Sequence, residues 1–385
     1  MQHSTRKILT THVGSLPRPD DLLAMMINRE QGDDVDPATF SARANRAVEE
    51  VVKKQADLGI DIINDGEQGK ISFVTYVNQR LSGIVPGEPR GNLWKNTREG
   101  QAFPEFYAEV EAHASGAPGR ARQMICVDRL RYSGKKQLDE QLRVFRAAAD
   151  RAGAKEAFVP SISPSNVERW QRNEFYKNTE EYLEAIAEAL REEYEAIVAA
   201  GFLLQVDDPA MATRYTMTTD SLEDTRHWAN VRVDVLNHAL RNIPEDKVRF
   251  HTCYSINMGP RATDMELKDL VDIMLRVRAG AYSFEFGNPR HEHEWSLWES
   301  VKLPAGKILI PGVISHTTVL IEHPELVAER IARFANVVGA ENVIAGADCG
   351  FASFAASHEM HPSIVWAKLA ALVEGAGIAS KRIWH

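Results

Sequence analysis

Short, continuously apolar runs alternate along the chain with longer stretches in which apolar residues recur every three or four positions. The short runs are KILTTHVGS (7–15), IDIINDG (60–66), EAFVPSI (156–162), FLLQVDD (202–208), VRFHTCY (248–254), AYSFEFG (281–287), KILIPGV (307–313) and NVIAGAD (342–348). Rich in Val, Ile and Phe and apolar at consecutive positions, they read as strands covered on both faces. The longer stretches cover 38–58, 137–152, 179–200, 221–242, 264–278, 323–339 and 362–375, and are predicted as helices. EEYLEAIAEALREEYEAIVAAG is the clearest, ending in the C-cap candidate Gly201. Eight strands alternating with helices predict an α/β fold, a single (β/α)8 TIM barrel over residues 1–385. A doubly wound sheet is the competing architecture, but no G-x-G-x-x-G follows the first strand.

One segment departs from this rhythm. Residues 85–136 are rich in Gly, Pro, Arg and aromatics. They are expected to form an arm or hairpin inserted between strands two and three. A surface elaboration, a substrate lid and a homodimer contact are its alternative roles.

Composition narrows the function. The chain has 385 residues, 44% hydrophobic and 26% charged, with a formal net charge of -9. An acidic balance argues against a nucleic-acid or anionic-membrane partner. The first residues lack the apolar core of a secretory signal. No apolar run reaches 18 residues, so no membrane span is expected. Three cysteines, Cys126, Cys253 and Cys349, are too few and too odd for a disulfide framework and suit a reducing cytoplasm.

Two of those cysteines fall at predicted strand ends, where a barrel builds its active face. His251 and Cys253 are two residues apart, so in an extended segment both side chains point the same way. Cys349 follows the eighth strand, and Glu285 lies near the end of the sixth. One imidazole and two thiolates form a donor set that suits zinc, and a carboxylate completes a tetrahedron. A buried His or Cys on a strand is commonly just core, so the coincidence of three such residues carries the reading. Cys126, in the arm, is read as structural. With sulfur ligands the metal favours an activated, nucleophilic substrate thiol over hydrolysis. A thiol displacing Glu285 would arrive as thiolate.

The motifs VGSLPRP, DGEQGK, QVDDPA, HTCYS, SFEF and ADCGF, in this order, resemble the catalytic barrel of the cobalamin-independent methionine synthases. The resemblance implies Zn2+ held by His251, Cys253, Glu285 and Cys349. It implies a homocysteine-like thiol whose carboxylate meets Gly14 and Ser15, and whose ammonium meets Glu67 and Asp207. It also implies a methyl or alkyl donor and an S-methyltransferase activity in methionine biosynthesis. Three features depart from the family pattern. The family enzyme typically has two barrels, and these residues supply one. Asp208 stands where the family usually has Glu. The family's catalytic histidine finds only an approximate counterpart, His316, one position out of register. An epoxide–thiol (coenzyme M) transferase and a non-catalytic zinc-binding barrel are therefore alternatives. His291 and His293 invite a second-metal reading, against a solvated or substrate-facing loop. Arg18 is a candidate contact for an anionic substrate group.

Overall fold

The computed structural model describes residues 1–89, 93–114, 122–254, 259–355 and 360–384. Its strands are β1 (Leu9–Thr10), β2 (Ile62–Ile63), β3 (Leu81–Pro89), β4 (Arg122–Tyr132), β5 (Glu156–Ile162), β6 (Gln171–Asn173), β7 (Leu203–Asp207), β8 (Val248–His251), β9 (Ala281–Phe284), β10 (Ile308–Ile314) and β11 (Ile344–Ala347). Among the described residues, one sheet of eight parallel strands runs β1-β11-β10-β9-β8-β7-β5-β2. A parallel bridge between Thr11 and Ile62 joins its two ends. The α/β barrel expected from eight apolar runs is therefore the fold, and each run overlaps one barrel strand.

The two-residue period of the strands sorts their side chains into layers. Leu9, Ile62, Phe158, Leu203, Ala281, Ile308, Ile310 and Ile344 form one apolar cluster from seven strands, at the end of the barrel where the strands begin. Two residues further on, the inward positions turn polar: Thr11, Asn64, Gln205, Arg249 and Ser283, all buried. Two further still come Asp207, His251 and Glu285. The intervening Leu204, Val206, Val248, Phe250, Tyr282 and Phe284 pack outward into the main core beneath the helices. Hydrophobic burial on the outside thus holds a polar interior in place.

Arg249 shows how that interior is tolerated. Its guanidinium lies over the Phe158 ring at 3.9 Å. It also donates to Thr11 Oγ1 and the His12 carbonyl, both at 3.1 Å. A buried cation without such partners would cost several kcal/mol.

Two expected helices differ in the structure. The stretch 264–278 is no continuous helix but a 3-10 turn, Leu267–Asp269, followed by the short helix Val271–Met274. Tertiary bonds compete with the helical ladder: Leu267 N–H donates to Glu294 Oε1 at 2.7 Å, and Asp264 accepts from Thr216 Oγ1 at 3.2 Å. The last helix runs past 375, over Pro362–Trp384. Gly375 does not end it but lets it cross a neighbour closely: a Cβ there would lie 2.5 Å from Val327, on the helix Pro324–Val338. By length and composition alone this last helix could cross a membrane, yet half of its apolar window is buried against the barrel. It also buries Lys368, which is paired with Glu322 at 2.9 Å.

Outside the barrel, β3 pairs antiparallel with β4, and β6 joins β4 in parallel. Cys126, on β4, is fully buried in the main core. Residues 90–92 and 115–121 of the 85–136 segment lie outside the described residues.

Candidate metal centre and substrate cavity

β8 ends on His251, and the chain then turns so that Cys253 follows on the same side. Cys349 arrives from the loop after β11. The ligand atoms of His251, Cys253 and Cys349 lie within 4.8 Å of one another. The two sulfurs are 3.1 Å apart, and both cysteines are free and buried. His251 Nδ1 sits 3.1 Å from Ser283 Oγ on the neighbouring β9. With the ring proton on Nδ1, Nε2 presents a lone pair, and Nε2 is buried without a hydrogen-bond partner. Burial, and then the Arg249 charge, lower the His251 pKa to about 3, so the ring is neutral. The hydrogen bond that Cys349 donates to Cys253, and then burial, raise the Cys349 pKa well above its ordinary value. A neutral imidazole with an orphaned nitrogen, facing two close thiols, fits a soft-ligand metal site.

Glu285 does not join this trio. It falls in a second buried group with His316 and Asp348, whose ligand atoms are also within 4.8 Å of one another. Glu285 Oε1 accepts from the Tyr254 N–H at 2.8 Å. Its Oε2 accepts from Arg261 and from Asn288, both at 2.9 Å. Asp348 in turn accepts from the N–H groups of Phe286 (2.9 Å) and Gly287 (2.7 Å). Burial raises the pKa of both acids, with Arg261 opposing it at each.

A cavity of about 210 Å³ opens over the trio and is lined by Ser15, Glu67, Asp207, His251, Cys253 and Cys349. Phe73, Trp94, Trp170 and Phe354 form aromatic walls. Glu67 has a left-handed backbone, φ 54°, rare for a residue with a side chain and common at functional turns. Gly14 is required beside it, since a Cβ there would sit 2.6 Å from Glu67 Oε1. Glu67 Oε2 is buried and accepts no hydrogen bond. Lys70 is its ion-pair neighbour at 3.7 Å but donates to the Pro160 carbonyl at 2.7 Å. Asp207 Oδ1 accepts from Gln205 at 2.8 Å. Burial first, and then the charge of Glu67, push the Asp207 pKa well up. Burial likewise raises that of Glu67, against the Lys70 charge. Two buried carboxylates that disfavour each other's ionisation leave a place for a cation.

Ser15 is held by loop eight: Phe351 N–H donates to its carbonyl at 3.0 Å and Ala352 N–H to its hydroxyl at 3.3 Å. Arg18 is committed elsewhere than the cavity. It donates to the carbonyls of Glu67 (3.1 Å), Lys70 (2.7 Å) and Ala352 (2.8 Å), tying three loops together. His291 has both ring nitrogens on carboxylates, Nδ1 on Glu294 at 2.9 Å and Nε2 on Asp264 at 3.2 Å, and it stacks on Tyr254. His293 is exposed, so the two do not form a second metal pair. Asp208 accepts from Ser165 at 2.6 Å and from Asn166 at 3.1 Å. Ser255 of HTCYS lies outside the described residues. Sequence reasoning missed Arg261 and Asn288, which sit in loops without periodicity, and gave Lys70 and Asp348 no role within their motifs.

A parallel barrel with a Cys/Cys/His trio and paired acids at its C-terminal face belongs to the class of barrel enzymes that act through their βα loops. The chain matches the family model "Cobalamin-independent synthase, Catalytic domain" over residues 8–93 and 161–372, and it belongs to that family. It is 25% identical to the methionine synthase of Pyrococcus furiosus over 342 residues, 89% of this chain and 85% of the relative. It is 23% identical to that of Thermococcus kodakarensis over 377 residues, 97% and 94% of the two chains. These relatives are of nearly the same length, so a single barrel does not set this chain apart from them. In fold it is similar to a B12-independent methionine synthase from a Shewanella strain, solved with selenomethionine (TM-score 0.75, 19% identity, 98% and 99% coverage). It is also similar to a putative vitamin-B12 independent methionine synthase from Listeria monocytogenes (TM-score 0.66, 16% identity, 97% and 98% coverage).

Proposed function

We propose that this protein is a zinc-dependent S-methyltransferase that methylates a small amino-acid thiol of the homocysteine type. The observation that carries the reading is the single cavity shared by the His251–Cys253–Cys349 trio and the Glu67–Asp207 pair. A soft metal site next to a cation-seeking acid pair matches a substrate with a thiol at one end and an ammonium at the other.

His251, Cys253 and Cys349 would hold the ion, with Glu285 as an exchangeable fourth ligand. A zinc ion in this setting supplies the charge that removes the thiol proton while its sulfur ligands keep the substrate sulfur nucleophilic. Glu67 and Asp207 fix the ammonium, and the ammonium restores the charge balance that favours both as carboxylates. The Ser15 hydroxyl and the backbone at Gly14 meet the substrate carboxylate. The aromatic walls exclude water from the reacting sulfur. His316, facing Glu285 and Asp348, is the residue assigned to proton handling. Leu93 and Trp94, from the arm segment, line the cavity, which favours the lid role for that segment. Three free thiols are in keeping with a reducing, cytoplasmic setting.

The test is methionine formation from homocysteine by the zinc-loaded protein, with methyltetrahydrofolate and methylcobalamin offered in turn as donors. Turnover with either supports the reading. Failure with every methyl donor, together with addition of coenzyme M to an epoxide, replaces it with the epoxide–thiol alternative.

A further inference from the structure

Glu67 is held at both ends by a closed circuit of buried side chains. Its N–H donates to Asp65 Oδ1 at 3.0 Å. Asp65 Oδ2 accepts from Gln141 at 2.7 Å, and Gln141 accepts from Arg80 at 2.6 Å. Arg80 donates to Glu193 at 2.9 Å. Glu193 also accepts from the Tyr76 hydroxyl at 2.8 Å, and the Lys70 Nζ lies 4.2 Å from the centroid of the Tyr76 ring. Lys70 closes the circuit: its Nζ is 3.7 Å from Glu67 Oε2, with the two side chains 4% and 3% exposed. Ser161 (2.8 Å) and Tyr132 (2.7 Å) donate to Glu193 as well, so the far side of the circuit is anchored on β5 and β4. The strained backbone of Glu67, φ 54°, is thereby pinned from two directions. Gln141, on the helix Lys135–Arg151, acts through Asp65, and Lys70 acts on the carboxylate.

We propose that Lys70 is a positioning residue for the substrate ammonium: anchored on Pro160 and Tyr76, it fixes the Glu67 carboxylate in the cavity wall with Oε2 left for the ligand. The proposal rests on the reading of Glu67 and Asp207 as the ammonium site. The anchor decides the geometry. Lys70 Nζ donates to the Pro160 carbonyl at 2.7 Å, so it attracts Glu67 from a fixed point without hydrogen-bonding to it. A cation in direct hydrogen bond with Oε2 would compete with the ammonium for the same oxygen. A neutral residue at position 70 would leave Glu67 facing Asp207 with its ion-pair partner gone, and two buried carboxylates repel each other. Lys70 stands between these extremes, close enough to hold the carboxylate and too far to occupy it.

The experiment titrates two ligands by calorimetry into the full, zinc-loaded chain: homocysteine, and mercaptobutyrate, which keeps the thiol and the carboxylate but has no amino group. Four proteins are compared: unchanged, Lys70→Met, Glu67→Gln and the double variant. Lys70→Met is expected to weaken homocysteine about tenfold and to leave mercaptobutyrate unchanged, because only the amine contact runs through Glu67. In the Glu67→Gln background, Lys70→Met is expected to cause no further loss of homocysteine affinity. Lys70→Gln, which retains a donor for the Pro160 carbonyl, gives the same comparison if Lys70→Met does not fold. Equal weakening of both ligands marks Lys70 as structural support only and overturns the proposal. So does unchanged homocysteine affinity in the folded variants, or losses that simply add in the double variant. If the unchanged protein binds no homocysteine, the substrate reading fails separately, and urea denaturation of the same four proteins decides the role of Lys70. Stability losses that add across the double variant overturn the hold of Lys70 on Glu67, and losses that do not add support it.

Discussion

Two buried polar clusters sit side by side at the C-terminal face of this barrel, and they are built on opposite principles. Around Glu285 and Asp348, hydrogen-bond donors are supplied in full: Arg261, Asn288 and the N–H groups of Tyr254, Phe286 and Gly287. In the His251–Cys253–Cys349 trio and beside it, groups are left wanting. His251 Nε2 and Glu67 Oε2 are buried with no hydrogen bond, and the two thiols lie 3.1 Å apart. Burying a polar atom without a partner costs about 1–3 kcal/mol. A fold tolerates that cost where a ligand is to fill the gap. The satisfied acids are held in place before any ligand arrives, and the unsatisfied groups mark where a ligand is expected to bind.

Altering the trio has the largest expected effect. Cys253→Ser or Cys349→Ser is expected to abolish stable zinc binding and activity while the barrel stays folded, because neither thiol supports the core. Bound zinc by atomic absorption and the circular dichroism spectrum check this together; full zinc retention in both variants would refute the ligand assignment. The next effect is on substrate. Asp207→Asn or Glu67→Gln should weaken homocysteine binding by about 2 kcal/mol or more, roughly thirtyfold, since a buried charge pair with the ammonium is lost. The same changes should raise the thermal midpoint of the ligand-free protein, because each removes a buried carboxylate that its neighbour repels. An unchanged midpoint together with unchanged binding would remove the acid pair from the account.

The satisfied cluster predicts the reverse pattern. Asp348→Ala should destabilise the protein by about 2–4 kcal/mol, because it strands two buried N–H groups. Urea denaturation measures it, and a loss below about 1 kcal/mol would contradict the scaffold role. The smallest effect is on pH dependence. Burial lowers the His291 pKa, but hydrogen bonds to Asp264 and Glu294 outweigh it and bring it up to about 9. The folded value lies above the ordinary 6.5, so this stabilisation is complete below about pH 6.5 and is lost as pH rises through about 9. Stability of His291→Gln should lack that slope between the two values, whereas a slope equal to that of the unchanged protein would show His291 to be neutral.

Much of this was readable in the order of residues. The eight apolar runs announce a barrel because strands covered on both faces cannot look otherwise. His251 and Cys253 are visible as a pair because strand geometry places alternate residues on one side. The partnership of Glu285 with Arg261 was not readable, since the two come from different loops and neither loop has a period. The break in 264–278 was equally hidden: its apolar spacing is helical, and bonds from Glu294, Thr216 and His291, far away in sequence, overrule it. The extension to Trp384 depended on Gly375, which signals a helix end in isolation and a close helix crossing once Val327 is known to lie against it.

The trio is expected to bind a metal whose fourth position is taken by the sulfur of the substrate. X-ray absorption at the zinc edge counts sulfur neighbours directly. The resting protein should show two sulfur ligands with nitrogen or oxygen completing the shell, and the homocysteine complex should show three. A count that stays at two with homocysteine bound would contradict the account.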